Sequence, residues 1–260
     1  MPGNGVPRLA AERRRAIVAE LRANGRLEVA ETADRFETSV ETIRKDLISL
    51  EKRGLLRRVH GGALPVQTMT FEPDVTSRVS ENRDEKVRIG TRALTHLPER
   101  GVVMIDAGST TQLFTEMLPN RSDLRVFTNS LIIASIAASK PSIICHTLGG
   151  RIRPTTMAEV GATARRSLES LHFDIAFVGT NAVSPKRGLY TPDPDEAAVK
   201  QDMIANSERV ILLADHRKFG QHSLVRYADL SEIDVVITGA ELHEDFRHEL
   251  AAAGVEMEYV

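Results

Sequence analysis

The chain has 260 residues, 42% of them apolar, with a formal charge of −2. That length accommodates two domains with real cores. Its single cysteine, Cys145, excludes an internal disulfide, and the longest apolar run, LIIASIAA at 131–138, is far short of the ~20 residues of a membrane helix. The opening stretch MPGNGVPRLAAERRR has no apolar core of signal-peptide type, so a cytoplasmic chain is expected. Charge is unevenly spread. Residues 1–68 hold 13 Lys and Arg against 9 Asp and Glu; the remainder holds 21 against 27. A cationic head on an acidic body suits a head that meets phosphates. Cys145 lies in SIICHTL and reads as a small buried hydrophobe. The histidines make no metal pattern, His243 and His248 being five apart. Neither a metal nor a cofactor is expected.

Residues 10–23 are rich in helix formers, with Ile17, Val18 and Leu21 as an inward stripe. Asn24 and Gly25 stop this helix, and 26–28 reads as a short extended link. A second helix covers 29–36, with Val29, Ala33 and Phe36 facing in, and 37–39 is a turn. The third helix is the informative one. Thr38 and Glu41 have capping-box spacing. Val40, Ile43, Leu47 and Leu50 fall on one apolar face; Glu41, Lys45, Ser49 and Lys52 lie opposite, with Thr42 and Arg44 on the flanks. A recognition helix divides this way: one side packs, the other offers donors and cations to base edges and phosphates. Gly54 is expected to end it. Residues 55–64 then read as strand, Gly61-Gly62 turn and return strand. Arg57, Arg58 and His60 make this hairpin a basic wing.

The run S-x-x-T-I-R-K-D-L (39–47), followed by L-E-x-x-G-L-L-x-R-x-H-G-G-A (50–63), closely resembles the winged helix of the DeoR family of bacterial transcription regulators. The resemblance implies that Ser39, Thr42, Arg44 and Lys45 lie in the major groove of operator DNA. It also implies that 57–62, including Arg57, Arg58, His60 and Gly61, form the wing. The DNA-binding domain is placed at 8–64 and a linker, with Pro65 and Pro73, at 65–82. Arg78, Asn82 and Lys86 are spaced by four and read as a solvated helix face. The family has a similar R-x-x-x-N-x-x-x-K run, and that resemblance adds only slightly to the case for Lys86 near an effector.

From 83 to 260 the pattern alternates. Strands are expected at 102–106, 124–128, 142–148, 175–179, 209–214, 235–238 and 255–259. Helices are expected at 110–118, 131–138, 159–170, 196–206 and 244–253. This is a mainly parallel sheet covered by helices, and such sheets bind ligands outside the carboxyl ends of their strands. Polar or glycine groups stand at those ends. Asp106, then Gly108, Ser109, Thr110 and Thr111 at a helix start, form an anion cradle, with Gly108 permitting a tight turn. Thr128 and Asn129 follow the second strand. Gly149, Gly150 and Arg151 follow the third, and 179–181 the fourth. Asp193, Glu196 and Lys200 surround another helix start, and Asp215 and Lys218 follow the next strand. Together they suit a small polyol phosphate, with amides and a cation for the phosphate and carboxylates for the hydroxyls.

The order D-x-G-S-T-T, T-N-S, L-G-G-x-x-R, T-P-D-x-x-E-A-x-V-K, A-D-x-x-K-F-G resembles the DeoR-type sensor domain, which is similar in fold to ribose-5-phosphate isomerase. It implies a phosphorylated sugar effector with 108–111 as the phosphate loop. The chain departs from the family pattern at Arg217, where Ser is common, and at Ala182, where Gly is common. The alternative is a sugar-phosphate isomerase-like enzyme with a fused DNA-binding domain, using Glu196 and Lys218. Isomerases of this fold carry an acidic loop after a central strand, and the matching stretch here, 179–183, has no carboxylate. A regulator without catalytic residues is therefore expected, more in keeping with a repressor. Single heads bury little DNA, so a homo-oligomer is expected.

Overall fold

A computed structural model describes residues 10–24, 26–52, 55–65 and 72–260. The chain divides into two compact units, 1–68 and 69–260.

In the first unit, helix α1 (Ala10–Asn24) leads through strand β1 (Leu27–Glu28) into α2 (Val29–Arg35) and α3 (Val40–Lys52). Strands β2 (Leu56–Val59) and β3 (Gly62–Pro65) follow. The strands form one antiparallel sheet in the order β1-β3-β2. Ile17, Val18 and Leu21 of α1 bury against Val29, Ala33, Ile43, Leu47 and Leu50, with Phe36 packed at the edge. The two turn glycines have separate reasons. Gly61 has φ +77, in the left-handed region. A Cβ on Gly62 would meet the Leu27 carbonyl oxygen at 2.0 Å.

Two expectations for α3 need correction. Ser39, one residue later than the expected cap, accepts the Thr42 N–H at 3.1 Å, so the Thr38/Glu41 box is not the cap. Val40, at 37% exposure, stands outside the core. Gly54 and residues 8 and 9, the start of the expected domain, lie outside the described residues, as does the Arg57 side chain.

Asp46 is buried in α3 and accepts from Arg13 Nε at 2.6 Å and Arg14 Nε at 2.7 Å. It fastens α3 to α1. Asp46→Ala strands two cationic side chains at this joint. Hydrogen bonds to charged groups contribute about 1.5–3 kcal/mol, so a loss of about 2 kcal/mol is expected for this unit in denaturant unfolding, with less for Asp46→Asn. An unchanged midpoint would show that the arginines do not hold the helix.

The second unit opens with α4 (Val75–Ser80) and α5 (Arg83–Ala93). The segment expected as a linker therefore contains a helix, and Val75 and Arg78 within it are buried. Then come β4 (Gly101–Ile105), α6 (Ser109–Glu116), β5 (Leu124–Thr128), α7 (Leu131–Ala138) and β6 (Ile144–Thr147). The hairpin β7 (Arg151–Arg153) and β8 (Ala158–Val160) precedes α8 (Ala162–Leu168) and β9 (Ile175–Val178). Strands β10 (Ala182–Ser184) and β11 (Gly188–Thr191) lead to α9 (Pro194–Ala205) and β12 (Val210–Leu213). The chain closes with β13 (Val225–Ala228), β14 (Val235–Thr238), α10 (Glu244–Ala252) and β15 (Glu256–Tyr259).

Seven described strands form the main sheet, in the order β15-β14-β12-β9-β4-β5-β6, and every pairing is parallel. Alternate residues face opposite ways. Val103, Ile105, Phe177, Ile211, Leu213 and Ile237 pack with Ile89 of α5, Phe114 of α6 and Ile133 of α7. Met104, Ala176, Val178, Leu212 and Val236 pack with Leu168 of α8, Met203 of α9 and Leu250 of α10. Burial on both faces explains the unbroken apolar strands. The chain runs outward from β4 through β5 to β6, then returns to lay β9 on the other side of β4. The crevice between the carboxyl ends of β4 and β9 is thus the topological switch point of the sheet.

The helix expected at 159–170 begins only at Ala162. Glu159 belongs to β8, and Gly161, at φ +86, separates the two. The hairpin β7–β8 and the small sheet β10-β11-β13 were not expected, since strands of three or four residues leave too short a pattern.

Candidate functional site

On the first unit, Ser39, Arg44 and Lys45 are exposed along the polar side of α3, and Thr42 is half-buried beside them. The Ser39 and Thr42 hydroxyls lie 2.8 Å apart. Arg44 approaches Glu41 only at 3.9 Å. Arg58 is more engaged: its Nε donates to Glu51 at 2.6 Å, tying the wing to the end of α3. His60 and Gly61 are exposed at the hairpin tip.

The second unit's candidate site is the crevice beside β4 and β9. Its floor is a buried charge pair. Asp106 follows β4, is fully buried and accepts both from the Lys200 ammonium of α9 and from the Gly179 N–H at 2.9 Å. Lys200 also donates to the Gly179 carbonyl at 3.0 Å, and the Tyr227 hydroxyl donates to the same oxygen at 2.9 Å. The ends of β4 and β9 are held together by this knot. Asp106 and Lys200 are consequently occupied by each other, although Asp106 Oδ1 has no partner among the described residues.

Above the floor stands the start of α6. The first turn of a helix leaves its N–H groups without intrahelical partners, a ready site for an anion. Gly108 has φ −177, extended backbone open to any residue, so the expected tight-turn role is not its reason. Space is the constraint: a Cβ there would lie 3.0 Å from Thr111 Oγ1. Asn129 Oδ1 accepts the Ala107 N–H at 2.8 Å and so fixes the residue before this loop.

Besides Lys200, two cations, Arg78 and Lys218, line the same cleft, and Lys86 stands behind Ser109. Lys86 is almost fully buried and donates to the Arg78 carbonyl and, at 3.1 Å, to Ser109 Oγ. Burial, with Lys218, Arg217 and Arg78 nearby, brings Lys86 down to about 8, against the opposing pull of Asp215. Burial likewise lowers Lys218, partly offset by Asp215. Arg78 is buried, and its Nε and Nη2 find no partner among the described residues. Buried donors of this kind call for a partner.

The other end of the cleft is acidic. The Glu72 carboxylate is 1% exposed and is held by Arg78 at 3.0 Å, by Arg153 and by Asn181 Nδ2 at 2.7 Å. Burial pushes its carboxyl up, but Arg78, Asn181 and Arg153 outweigh this and hold it below the ordinary value. Glu196 lies beside it, 3.1 Å from Arg153 and 3.3 Å from Thr156 Oγ1. Burial, assisted by Glu72 and Asp106 and opposed by Lys200 and Arg153, pushes Glu196 up to about 7. Of the two carboxyls, Glu72 is the more readily ionised and Glu196 the one burial drives toward protonation.

Of the expected effector residues, Gly108, Ser109, Thr110, Glu196, Lys200 and Lys218 line the cleft, with Arg78, Ala107, Gly179, Thr180, Asn181 and Leu213. The others are near it in support or away from it. Thr111 Oγ1 donates to the Gly108 carbonyl, and Thr128 Oγ1 accepts the Ser130 N–H at 3.0 Å. Asp193 caps α9 and pairs with Arg153 at 3.1 Å. Asp215 pairs with Arg217 at 3.1 Å. Gly149 donates to Glu159 at 2.7 Å, and a Cβ on Gly150 would press on Val160 O at 2.8 Å. Arg151 is exposed and paired with Asp195. The four-residue spacing alone puts Arg78 and Lys86 on a solvated face. In the structure Asn82, at φ +51, breaks that face between α4 and α5, and both cations turn inward.

Glu85, His216 and Glu241 also bring potential metal-ligand atoms within 4.8 Å of one another. Glu85 is already engaged by Asn82, by the His216 N–H and ring and by the Gly239 N–H, and Glu241 is paired with Arg88.

A family model described as the DeoR-like helix-turn-helix domain matches residues 13–68, and one described as the DeoR C-terminal sensor domain matches 81–240. The HTH-type transcriptional regulator GlpR of Haloferax volcanii is 39% identical over 95% of this chain and 96% of its own. The chain belongs to the DeoR family. It is a transcription regulator and not an enzyme. The glycerol-3-phosphate regulon repressor of Escherichia coli K12 is 28% identical, over 88% of this chain and 90% of its own. Among solved structures, ribose 5-phosphate isomerase A from Methanocaldococcus jannaschii aligns with a TM-score of 0.40 at 20% identity, over 53% of this chain and 55% of that one.

The raised Glu196 carboxyl has a consequence for stability. The folded state holds this proton more tightly than the unfolded state, so the contribution is complete below about pH 4.5 and is lost as pH rises through about 7. Glu196→Gln cannot lose it. The stability of the variant relative to the unaltered regulator is expected to climb between pH 5 and 7.5, by at most about 1.4 kcal/mol per pH unit. Urea unfolding across that range measures the difference, and a constant difference would show that Glu196 does not titrate there.

Proposed function

We propose that this DeoR-family regulator is a repressor of carbohydrate-metabolism genes, and that a phosphorylated sugar in the β4/β9 cleft controls its hold on operator DNA. The observation carrying the effector half is the meeting of unpartnered Arg78 nitrogens, Lys86 and Lys218 with the start of α6. A phosphoryl group supplies the acceptors these donors lack and relieves the crowding of buried cations. Glu196 and Asn181 face the remainder of the ligand. The name of the Escherichia coli relative, a glycerol-3-phosphate regulon repressor, is consistent with a phosphorylated effector. Such a regulator works in the cytoplasm, where its DNA and phosphorylated metabolites occur. Described helices include none long and apolar enough to cross a membrane.

On the DNA side, Ser39, Thr42, Arg44 and Lys45 are proposed to enter the major groove, with Arg57, Arg58, His60 and Gly61 along the backbone. Paired heads of a homo-oligomer would read half-sites separated by helical turns of about 34–36 Å.

A thermal-shift screen with phosphorylated sugars tests the effector half, since a bound ligand raises the melting temperature by mass action. Lys86→Met is expected to weaken binding of any hit by about tenfold or more, a loss of about 1.4 kcal/mol. Lys86 titrates near 8 in the free protein and higher beside a phosphate. Affinity should therefore fall as pH rises from 7.5 to 9, with proton uptake at pH 8 seen by calorimetry in buffers of different ionisation enthalpy. A flat profile would remove Lys86 from the site.

For DNA, Arg44→Ala and Lys45→Ala are the informative variants. A lost base contact costs about 1–3 kcal/mol and relaxes specificity at one position, whereas a lost phosphate contact mainly lowers the salt slope, by about 1. Operator binding measured at several salt concentrations separates these outcomes, and unchanged binding for both variants would move the DNA interface elsewhere.

A further inference from the structure

The cleft holds about 20 Å³ of free volume, the room of roughly one water. A phosphorylated sugar seated fully inside needs a side chain to leave, and Glu72, which holds Arg78 and Asn181 of the lining, is placed to do so. It precedes α4 on a stretch that is neither helix nor strand, with Pro73 next and Asp74 capping the helix. Its carboxylate is 1% exposed and meets three donors from three separate places: Arg78 of α4, Arg153 of β7 and Asn181 beyond β9. Arg78 and Asn181 both line the cleft. Arg153 also carries Glu196 and Asp193, so it remains paired if Glu72 withdraws. The arrangement resembles an acid ligand held by a bound-state pocket, with the acid supplied by the chain itself.

Building on the phosphate site proposed above, we propose that Arg78, Arg153 and Asn181 form a second anion subsite, that Glu72 fills it in the free protein, and that the effector is a phosphorylated sugar with a second acidic group that displaces Glu72. The charge balance supports a second acid over a hydroxyl. Exchanging Glu72 for a carboxylate or phosphoryl group keeps Arg78 paired as in the free protein; exchanging it for a neutral polyol removes the carboxylate that Arg78 pairs with, and an underpaired buried charge is costly. Glu72 is thus an internal competitor. Its displacement takes part of the ligand's binding free energy, and it frees chain that begins four residues after the boundary at Thr68.

The test is calorimetric titration of the full chain and of Glu72→Ala and Glu72→Gln with four probes: inorganic phosphate, glucitol 6-phosphate, 6-phosphogluconate and fructose 1,6-bisphosphate. Glucitol 6-phosphate and 6-phosphogluconate differ only at the end remote from the phosphate, and the last two probes separate a carboxylate from a second phosphoryl group. The unaltered chain is expected to bind one of the two doubly acidic probes at least about tenfold more tightly than glucitol 6-phosphate. Glu72→Ala should tighten that probe by about tenfold again and leave inorganic phosphate within about twofold. Glu72→Gln keeps the side-chain volume and should gain in the same direction, which guards against a misfolded Ala variant. Either of two results overturns the inference while leaving the phosphate site intact: glucitol 6-phosphate matching both acidic probes, or neither Glu72 variant binding an acidic probe more tightly than the unaltered chain. Absence of binding by all four probes would overturn the phosphate site itself, and the inference with it.

Discussion

Everything at the effector cleft rests on one buried charge pair, Asp106 with Lys200. The ladder between β4 and β9 ends at Asp106 and Phe177, and beyond it the loops leaving the two strands at this switch point have no ladder to hold them. Asp106 closes that gap from the end of β4 by accepting the Gly179 N–H beyond β9, and Lys200 reaches across from α9 to bond both Asp106 and the Gly179 carbonyl. Tyr227 adds its hydroxyl to the same carbonyl and its ring beneath the ammonium, 5.4 Å from the nitrogen. A buried ion pair gives little net stability against an apolar alternative. Its effect here is geometric: four segments distant in sequence are held at one point, and the α6 start and α9 side chains are aimed over it.

That geometry sets the electrostatics. With Lys200 neutralised by Asp106, the cations left for a ligand are Lys86 and Lys218, whose pKa values burial lowers, and Arg78, two of whose nitrogens have no partner among the described residues. The opposite end holds two carboxyls sharing Arg153, Glu72 held below the ordinary value by its cations and Glu196 raised by burial. Free protein in this state keeps like charges close at the cationic end of a narrow cleft. Such an arrangement is tolerated only where the surrounding fold over-determines it, and an anion entering at the cationic end relieves it directly.

Much of this was legible in the sequence, and the parts that were not share a cause. Val235–Thr238 lies where expected because burial on both faces makes its apolar run continuous, and Leu124–Thr128 because Leu124, Val126 and Thr128 alternate inward around the exposed Arg125. The Ser109-Thr110-Thr111 helix start was legible because strand, glycine and hydroxyls follow one another locally. Arg78 and Lys86 were not, because an inward cation and a solvated one look alike at a four-residue spacing. Only the left-handed Asn82 between two helices separates them. Glu72 was hidden more deeply: no carboxylate occurs in residues 179–183, and the one that reaches Asn181 comes from a position 109 residues earlier. Asp46 was passed over within a basic run, and its reason for burial lies on another helix. Arg151, by contrast, followed two glycines as a binding residue should, yet β7 carries it outward to Asp195 and it is the next residue but one, Arg153, that turns in.

The two halves of the regulator are joined by thermodynamics whatever the path between them. A ligand shifts the operator equilibrium only if it binds the DNA-free and DNA-bound forms with different affinity, and the operator must then change ligand affinity by the same factor. A cleft already closed by the chain's own acid offers a source for that difference. Filling it requires a side chain, and the stretch of backbone bearing it, to take a new position. Any operator complex that favours one position of that stretch must discriminate between the empty and the filled cleft. A rigid, open phosphate site would have no such lever, and its occupant could bind tightly without the DNA registering it.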